Sequence, residues 1–287
     1  MGAGKKVLIG FGIFALLAVI AVFFVYKSIT GSATVTAQIN VESGQVLVNG
    51  QAAADGTRLK QGDVIETGAD GQATVILYES VLVSLEPGTK ITLDDLTRQH
   101  PQVTQDGGET WSKFTKLSGV EEYSVKIGNS VASVRGTAFG ISKDKLIVGE
   151  GNVGYDSDGE SFEAGEDEVV VNENGKRVKR IANAEERAKI AKGLERSLQR
   201  IKHMRELELA KNKFLINRLK AAKGWNNEEI KKFLENADEG KENIDDLVNQ
   251  SPVKAEGIQK IADHTREIRK LRDRIRQLQN LSVSSPL

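Results

Sequence analysis

Cysteine is absent from this chain of 287 residues, and only three histidines are present. Without cysteine, neither a disulfide framework nor a thiolate metal site can form. The histidines, His100, His203 and His264, are far apart in sequence and lack the spacing of metal ligands. We therefore predict that the protein holds neither a metal nor a cofactor.

Catalytic motifs are missing as well. The sequence contains no Ser-His-Asp pattern, no His-Glu-x-x-His pattern and no glycine-rich phosphate loop that leads into a helix. The adjacent carboxylates Asp94-Asp95 and Glu121-Glu122 would point to opposite faces of a strand, so they cannot work together as acid and base. We predict a protein that is not an enzyme. An enzyme acting on envelope polysaccharide would need convergent carboxylates, which the sequence does not place.

A net charge of zero hides a segregation of charge along the chain. Residues 33–182 hold 14 basic and 23 acidic side chains, whereas residues 183–287 hold 23 basic and 17 acidic ones. An acidic middle is thus followed by a basic tail, which indicates attraction between the two parts, a different partner for each, or simply the solubility of both segments.

Residues 7–26 form a run of twenty positions without a charged side chain. As a helix this run would be about 30 Å long, which matches the hydrocarbon core of a bilayer. We therefore expect a transmembrane helix that makes the lipid bilayer a partner. The alternative is a cleaved signal peptide, for which the small residues 30–33 would supply the cleavage site.

The lysines around this run predict its orientation. Lys5 and Lys6 precede it and only Lys27 follows it. This difference favours an orientation in which residues 1–6 form a short N-terminus in the cytoplasm. A linker over residues 27–40 would then lead to a bulk that is extracytoplasmic, in the periplasm or at the cell surface. The expected product is a single-pass membrane protein.

Residues 41–181 alternate between apolar and polar positions in short runs that are broken by Gly, Asp and Asn. Turn signals recur without an amphipathic helix between them, which predicts an antiparallel all-β sandwich or roll of jelly-roll type. The tight-turn dipeptides are Asn49-Gly50, Asp70-Gly71, Asp158-Gly159 and Asn174-Gly175.

Several motifs within this segment occur in a fixed order. The series GDVIETGADGQA begins at Gly62, VRGTAFG begins at Val134, and two glycine turns follow at Gly151 and Gly165. Over roughly residues 44–175 this set resembles the FecR domain. The matching positions, to which we assign a structural role, are Gly62, Asp63, Thr67, Gly68, Gly71, Arg135, Gly136, Thr137, Phe139, Gly151 and Gly165.

The sequence also departs from the family pattern. Tyr78-Glu79-Ser80 stands where the family usually has an Asp-Gly turn. Arg135 allows two hypotheses, since its planar fork of donors could bind an anion or could tie a turn together through backbone carbonyls. We favour the structural role.

Residues 183–281 are predicted to be helical, and residues 282–287 to form a disordered tail. In the last helix Ile261, Ile268 and Ile275 recur every seven residues, and Leu271 and Leu278 complete an a/d seam of coiled-coil type. We expect this seam to pair with residues 187–220 as a hairpin, and a homodimer is the alternative. The arginines on the other faces match no basic-region motif, so we predict no nucleic-acid partner.

The resemblance implies a protein that works through contacts with other proteins. FecR-like proteins include regulators that relay an external signal to an anti-sigma segment on the cytoplasmic side. Since only about six residues precede the apolar run, we expect an interaction, scaffold or ligand-presenting module of the cell envelope. The alternative is a transmembrane signalling or regulatory subunit that relays an external signal to a membrane or cytoplasmic partner.

Overall fold

The computed structural model describes residues 36–115, 119–249 and 256–283. The described chain is β-structure as far as Ile181 and helical from Ala184 onwards. Its strands form two sheets that share one continuous apolar core, to which both sheets contribute. The β part is therefore a two-layer sandwich.

The first sheet has eight strands in the order β1-β5-β6-β9-β12-β13-β16-β17, and every neighbouring pair is antiparallel. These strands are β1 (Ala37–Ser43), β5 (Gln72–Leu77), β6 (Val81–Leu85), β9 (Glu109–Phe114), β12 (Ala138–Ser142), β13 (Lys145–Glu150), β16 (Glu168–Glu173) and β17 (Lys176–Ile181).

The second sheet has nine strands in the order β15-β14-β11-β10-β8-β7-β4-β2-β3, and β8 and β10 pair in parallel. Its strands are β2 (Val46–Val48), β3 (Gln51–Ala52), β4 (Val64–Thr67), β7 (Lys90–Asp95), β8 (Gln102–Gly107), β10 (Tyr123–Ile127), β11 (Ser130–Val134), β14 (Val153–Ser157) and β15 (Glu160–Ala164).

The two sheets differ in how their outer faces are covered. In β10 and β14 buried residues alternate with more exposed ones, as in a sheet with one solvent face. In β6 all five residues are buried, and in β9 five of six are. The outer face of the first sheet is therefore covered along its middle strands.

The hairpin between β5 and β6 turns at Tyr78 and Glu79, which both have positive φ, at 53° and 54°. Gly or Asn would adopt this conformation at lower cost. The Tyr78 hydroxyl donates to the carbonyl of Leu96, and Arg98 lies over the Tyr78 ring. The unusual residues that stand in place of an Asp-Gly turn are thus held by packing around Tyr78.

Five helices follow among the described residues. The chain divides into two compact units, which we call the β unit (Thr34–Lys202 with Glu267–Leu287) and the helical unit (His203–Arg266). The helices are α1 (Ala184–Lys211), α2 (Lys213–Lys223), α3 (Asn227–Asp238), α4 (Ile244–Asn249) and α5 (Glu256–Val283).

The fold class expected from the sequence needs correction in its membrane part. No helix of the described ranges is both long and apolar enough to cross a bilayer. The expected transmembrane helix at residues 7–26 lies outside the described residues. The fold class is a mostly β-sheet domain with C-terminal helices. The extracytoplasmic location, which was inferred from that helix, stays a prediction.

The region expected to be helical, residues 183–281, contains three short helices between the two long helices α1 and α5. Gly224 ends α2 in the left-handed conformation, and Asn226 starts α3 with a capping box that includes Glu229. In the helical unit α1 and α5 run antiparallel, because Arg205 donates to Thr265 at 3.0 Å while Gly257 lies against Asn212.

Candidate functional site: the helix-covered face of the first sheet

The first group of family-motif residues forms β4 and the turns on either side of it. Asp63 is buried and accepts from Asn49 Nδ2 at 2.9 Å and from the Lys60 amide at 2.9 Å. Thr67 Oγ1 donates to the Glu86 carbonyl at 2.8 Å and accepts from the Thr89 amide at 2.8 Å. These contacts are internal to the fold.

Three glycines of the same group serve close approach and turn geometry. Gly62 has a φ of 86°, and the Gly68 amide donates to the Gln45 carbonyl at 2.8 Å. A Cβ at Gly71 would lie 2.1 Å from the Gln45 carbonyl oxygen, so only glycine fits there.

The second group of family-motif residues comes together at another turn. A Cβ at Gly151 would lie 3.1 Å from the Gly136 carbonyl oxygen and 3.1 Å from Thr137 Cγ2. The Gly151 amide donates to Glu166 at 3.2 Å, while the Gly165 amide donates to Glu168 at 2.7 Å. The structure thus joins Gly136, Thr137 and Gly151, whereas the residues from Gly62 to Gly71 belong to β4 and its flanking turns.

Arg135 projects from this turn into solvent, with 73% of its side chain exposed and Glu122 at 3.4 Å. Thr137 is fully buried, and so is Phe139, whose ring centroid is 6.4 Å from that of Tyr123. The described contact of Arg135 is a carboxylate rather than a backbone carbonyl.

A tryptophan on β9 organises the outer face of the first sheet. Trp111 is 6% exposed, and a Cβ at Gly193 of α1 would lie 2.2 Å from its Cδ2 atom. A Cβ at Gly140 or Gly149 would lie 3.0 Å or 2.8 Å from the same ring system. Glycines on the sheet and on the helix therefore make room for the indole, which lets α1 approach the sheet closely.

Two residues after Trp111, and so on the same face of β9, Lys113 is a fully buried cation. Its ammonium lies 2.8 Å from Glu150 and 2.5 Å from Glu267 of α5, and Lys270 of α5 contacts Glu150 as well. Burial would raise the pKa of Glu150, but the two lysine ammonium groups outweigh it and hold the pKa below its usual range. Glu150 is therefore a carboxylate at neutral pH.

Arg274 adds a second link between α5 and the end of β13. It is 7% exposed, its Nε donates to the Gly149 carbonyl at 2.9 Å, and its Nη2 lies 2.7 Å from Asp167. Removing one member of a buried ion pair leaves the charge of the other uncompensated, which destabilises the folded state. The α5 helix is thus fixed to the sheet by three neighbouring charged side chains of its own.

Arg196 fixes α1 to the opposite side of the same face. Its guanidinium donates to Glu42 at 2.8 Å, to Glu86 at 2.8 Å and to the carbonyls of Ala73 at 3.0 Å and Leu85 at 3.3 Å.

Glu42 also accepts from Arg200 at 2.9 Å and from Thr74 at 2.5 Å. Burial would raise the pKa of Glu42, but the Thr74 hydroxyl and the two arginines hold it below its usual range.

The start of α1 is tied to the sheet by Glu186. Glu186 and Asn183 form a reciprocal capping pair, with both hydrogen bonds at 2.9 Å. Arg180 of β17 and Lys145 of β13 each reach the Glu186 carboxylate at 2.7 Å. The hydrogen bond from Arg180 is the main cause that lowers the pKa of Glu186 to about 2.

The expected seam residues of the last helix are all buried in the single chain. Ile261, Ile268 and Leu271 are 0% exposed, and Ile275 and Leu278 are 8% and 3% exposed. Ile261 belongs to the apolar core of the helical unit.

The helical unit holds a buried polar cluster of its own. Arg205 pairs with Asp238 and also donates to Thr265, and all three are at most 7% exposed. His264 lies nearby and is 2% exposed, and its burial lowers its pKa to about 4. No group of three or more His, Asp or Glu side chains in the described ranges could hold a metal ion.

The sequence did not identify the helix-covered face as a site. A signal was present, because Trp111 and Lys113 alternate with Thr110, Ser112 and Phe114 on β9. A strand that carries Trp and Lys on one face is ordinarily read as having a half-exposed outer face. The face is instead buried because α1 and α5 pack on it. The sequence of β9 alone does not indicate this packing.

Comparison with protein-family models gives one result. Residues 63–154 match the model described as FecR protein, which confirms the resemblance seen in the sequence. The match lies within the β unit and covers less than half of the chain. A comparison with curated proteins gave no match.

Two solved structures are similar to part of the chain. Both are crystal structures of a protein described as a "putative anti-sigma factor" from Parabacteroides distasonis, with 21% identity and a TM-score of 0.38. The similarity covers 42% of this chain and 61% of theirs, so the chain spans about three fifths of the proteins it matches. At that TM-score the likeness carries no argument about function.

Proposed function

Because residues 63–154 of this chain are a FecR domain, we propose that the protein is a non-enzymatic regulatory protein that acts in signalling through protein contacts. The family match is the observation that carries this proposal. It favours the signalling role, which the sequence offered as the alternative, over the scaffold or ligand-presenting role. The partners of this chain are themselves part of the proposal.

The way in which the helices are attached to the FecR domain supports a role in relay. Within the β unit, α1 is held to the outer face of the first sheet by Arg196 and Glu186, and α5 by Glu267 and Arg274. These contacts are largely buried, so they resist screening by salt. A change in the sheet would therefore act directly on the position of both helices.

The attachment of α1 and α5 to the sheet matters for a relay because both helices are long and unbroken. α1 extends from Ala184 to Lys211 and α5 from Glu256 to Val283, so each contains residues of both units. A long helix is a stiff element that can carry a displacement along its axis. We infer that α1 and α5 are the output elements of the FecR domain in this protein.

Transcript profiling in the organism of origin tests the regulatory function. A deletion strain is compared with strains that express the full chain, the Arg196→Ala variant or the Lys126→Gln variant. Lys126 is an exposed residue of β10 in the second sheet, so its variant is a control that changes charge without touching α1. Protein levels are matched by immunoblot.

The proposal predicts that deletion changes the abundance of a defined set of transcripts. The wild-type chain and Lys126→Gln should restore them, whereas Arg196→Ala should restore them incompletely because α1 is less firmly attached. An unchanged set of transcripts in the deletion strain, across growth phases and envelope stresses, would contradict a regulatory function.

A further inference from the structure

A cavity of about 270 Å³ lies between α1 and the outer face of the first sheet, within the β unit. Small-molecule sites usually begin near 300 Å³. The lining residues that matter here are Trp111, Gly140 and Ile147 of the sheet and Lys189, Lys192 and Arg196 of α1.

The sheet side of the cavity carries apolar surface beside the carboxylates of Glu86 and Glu109. Trp111 and Ile147 supply its apolar surface, and Gly140 adds backbone without a side chain. Trp111 Nε1 is a buried donor that has no acceptor among the described residues. A buried N–H donor without an acceptor carries a desolvation penalty.

The helix side of the cavity is cationic. Lys189, Lys192 and Arg196 are three, four and seven residues apart, so they share one face of α1. Glu109 lies 3.4 Å from Lys189, and Glu86 lies 3.5 Å from Lys192. The lysine side chains are 45% and 69% exposed, and ion pairs of this kind are weak enough to exchange a carboxylate partner for a ligand anion.

We propose that this cavity binds a small organic anion with a flat apolar body, for which an aromatic carboxylate is the simplest example. The apolar body lies against Trp111 and Ile147, and the carboxylate meets Lys189 and Lys192. Arg196 is already bound by Glu42 and Glu86, so the ligand anion is met by Lys189 and Lys192, whose ion pairs are exposed. This site goes beyond the regulatory function and does not depend on it.

Titration of the full chain with phenylacetate and indole-3-acetate tests the site. Binding is followed by calorimetry and by the indole Nε1–H resonance of Trp111 in ¹H–¹⁵N spectra. The chain has two tryptophans, and the Trp225→Phe variant identifies which resonance belongs to Trp111. Phenylacetamide has the same ring without the charge and serves as the neutral control ligand.

Two variants of matched charge test the position of the anion. Lys192→Gln removes a cation of the cavity at a side chain that is 69% exposed, so folding should be unaffected. Lys126→Gln removes an exposed cation of the second sheet. We expect a saturable shift of the Trp111 resonance, affinity about threefold to fivefold lower in Lys192→Gln, and unchanged affinity in Lys126→Gln.

Three results would overturn the proposal. The first is the absence of a saturable shift of the Trp111 resonance with both carboxylates. The second is equal affinity in Lys192→Gln and Lys126→Gln. The third is equal affinity for phenylacetamide and phenylacetate, because the site would then not select an anion.

Discussion

Gly193 lies in the interior of α1, where glycine is ordinarily less favourable than alanine by about 1 kcal/mol. At this position alanine should instead be less favourable than glycine, because its methyl group would lie 2.2 Å from Trp111 Cδ2. We expect Gly193→Ala to lower the free energy of unfolding by about 1–3 kcal/mol, through overpacking. Urea unfolding at neutral pH measures the change.

A double-mutant cycle separates this clash from other effects of the substitution. In a Trp111→Leu background the ring is gone, so Gly193→Ala should become neutral or stabilising. An equal loss of stability in both backgrounds would show that Trp111 is not what excludes a side chain at position 193.

His264 gives the helical unit a defined response to acid. Its pKa in the folded state is lowered to about 4 by burial, against 6.5 for an unperturbed histidine. The folded chain therefore binds fewer protons than the unfolded chain between these two values. The stability that His264 contributes is present above pH 6.5 and is lost as the pH falls towards 4.

Other groups around His264 carry charge in the same pH range. Glu208, Arg205, Lys260 and Lys211 all act on it, so the wild-type curve alone does not isolate its titration. We expect the wild type to lose on the order of 2 kcal/mol more than His264→Leu between pH 7.5 and pH 5. Parallel curves of unfolding free energy against pH for the two proteins would contradict the burial of a neutral His264.

At the scale of single elements, Arg196 is the main polar attachment of α1. Arg196→Ala removes hydrogen bonds to two carboxylates and two strand carbonyls. We expect a loss of about 2–4 kcal/mol in unfolding free energy, because Glu42 and Glu86 are left without this partner.

Arg200→Ala is the matched control for this prediction. It removes the same side chain one helical turn further on, where a bond of 2.9 Å joins Arg200 to Glu42. We expect a loss of about 1 kcal/mol or less. Equal losses in the two variants, measured by urea unfolding, would contradict the special role of Arg196.

The strands were more predictable from the sequence than the packing of the helices. Runs such as Val81–Leu85, bounded by turn residues, indicate strands directly, and the ordered glycine motifs indicate the FecR domain. The helix breaks at Gly224 and Asn226 also carry local signals. Local patterns therefore account for most element types.

The candidate site was not predictable in the same way. Lys113, Glu150 and Glu267 are distant in sequence, and each alone has the character of an exposed residue. Only the docking of α5 on the sheet brings them together and buries them. The same holds for Gly193, whose role depends entirely on Trp111.

At the scale of the whole molecule, the oppositely charged segments of the sequence form ion pairs with each other within the β unit. Basic residues of the helices pair with acidic residues of the sandwich, as in Arg196 with Glu86, Lys270 with Glu150 and Arg274 with Asp167. Attraction within the chain is one of the outcomes expected for an acidic middle and a basic tail, and these pairs are an instance of it.

The central claim is that the β-unit segments of α1 and α5 belong to the same cooperative unit as the first sheet. Hydrogen exchange of the full chain, read by mass spectrometry, tests it most directly. We predict that amides of residues 190–202 and 268–280 exchange with the same opening free energy as those of β5, β6 and β9. Exchange of both helical segments about a hundredfold faster than these strands would contradict the claim.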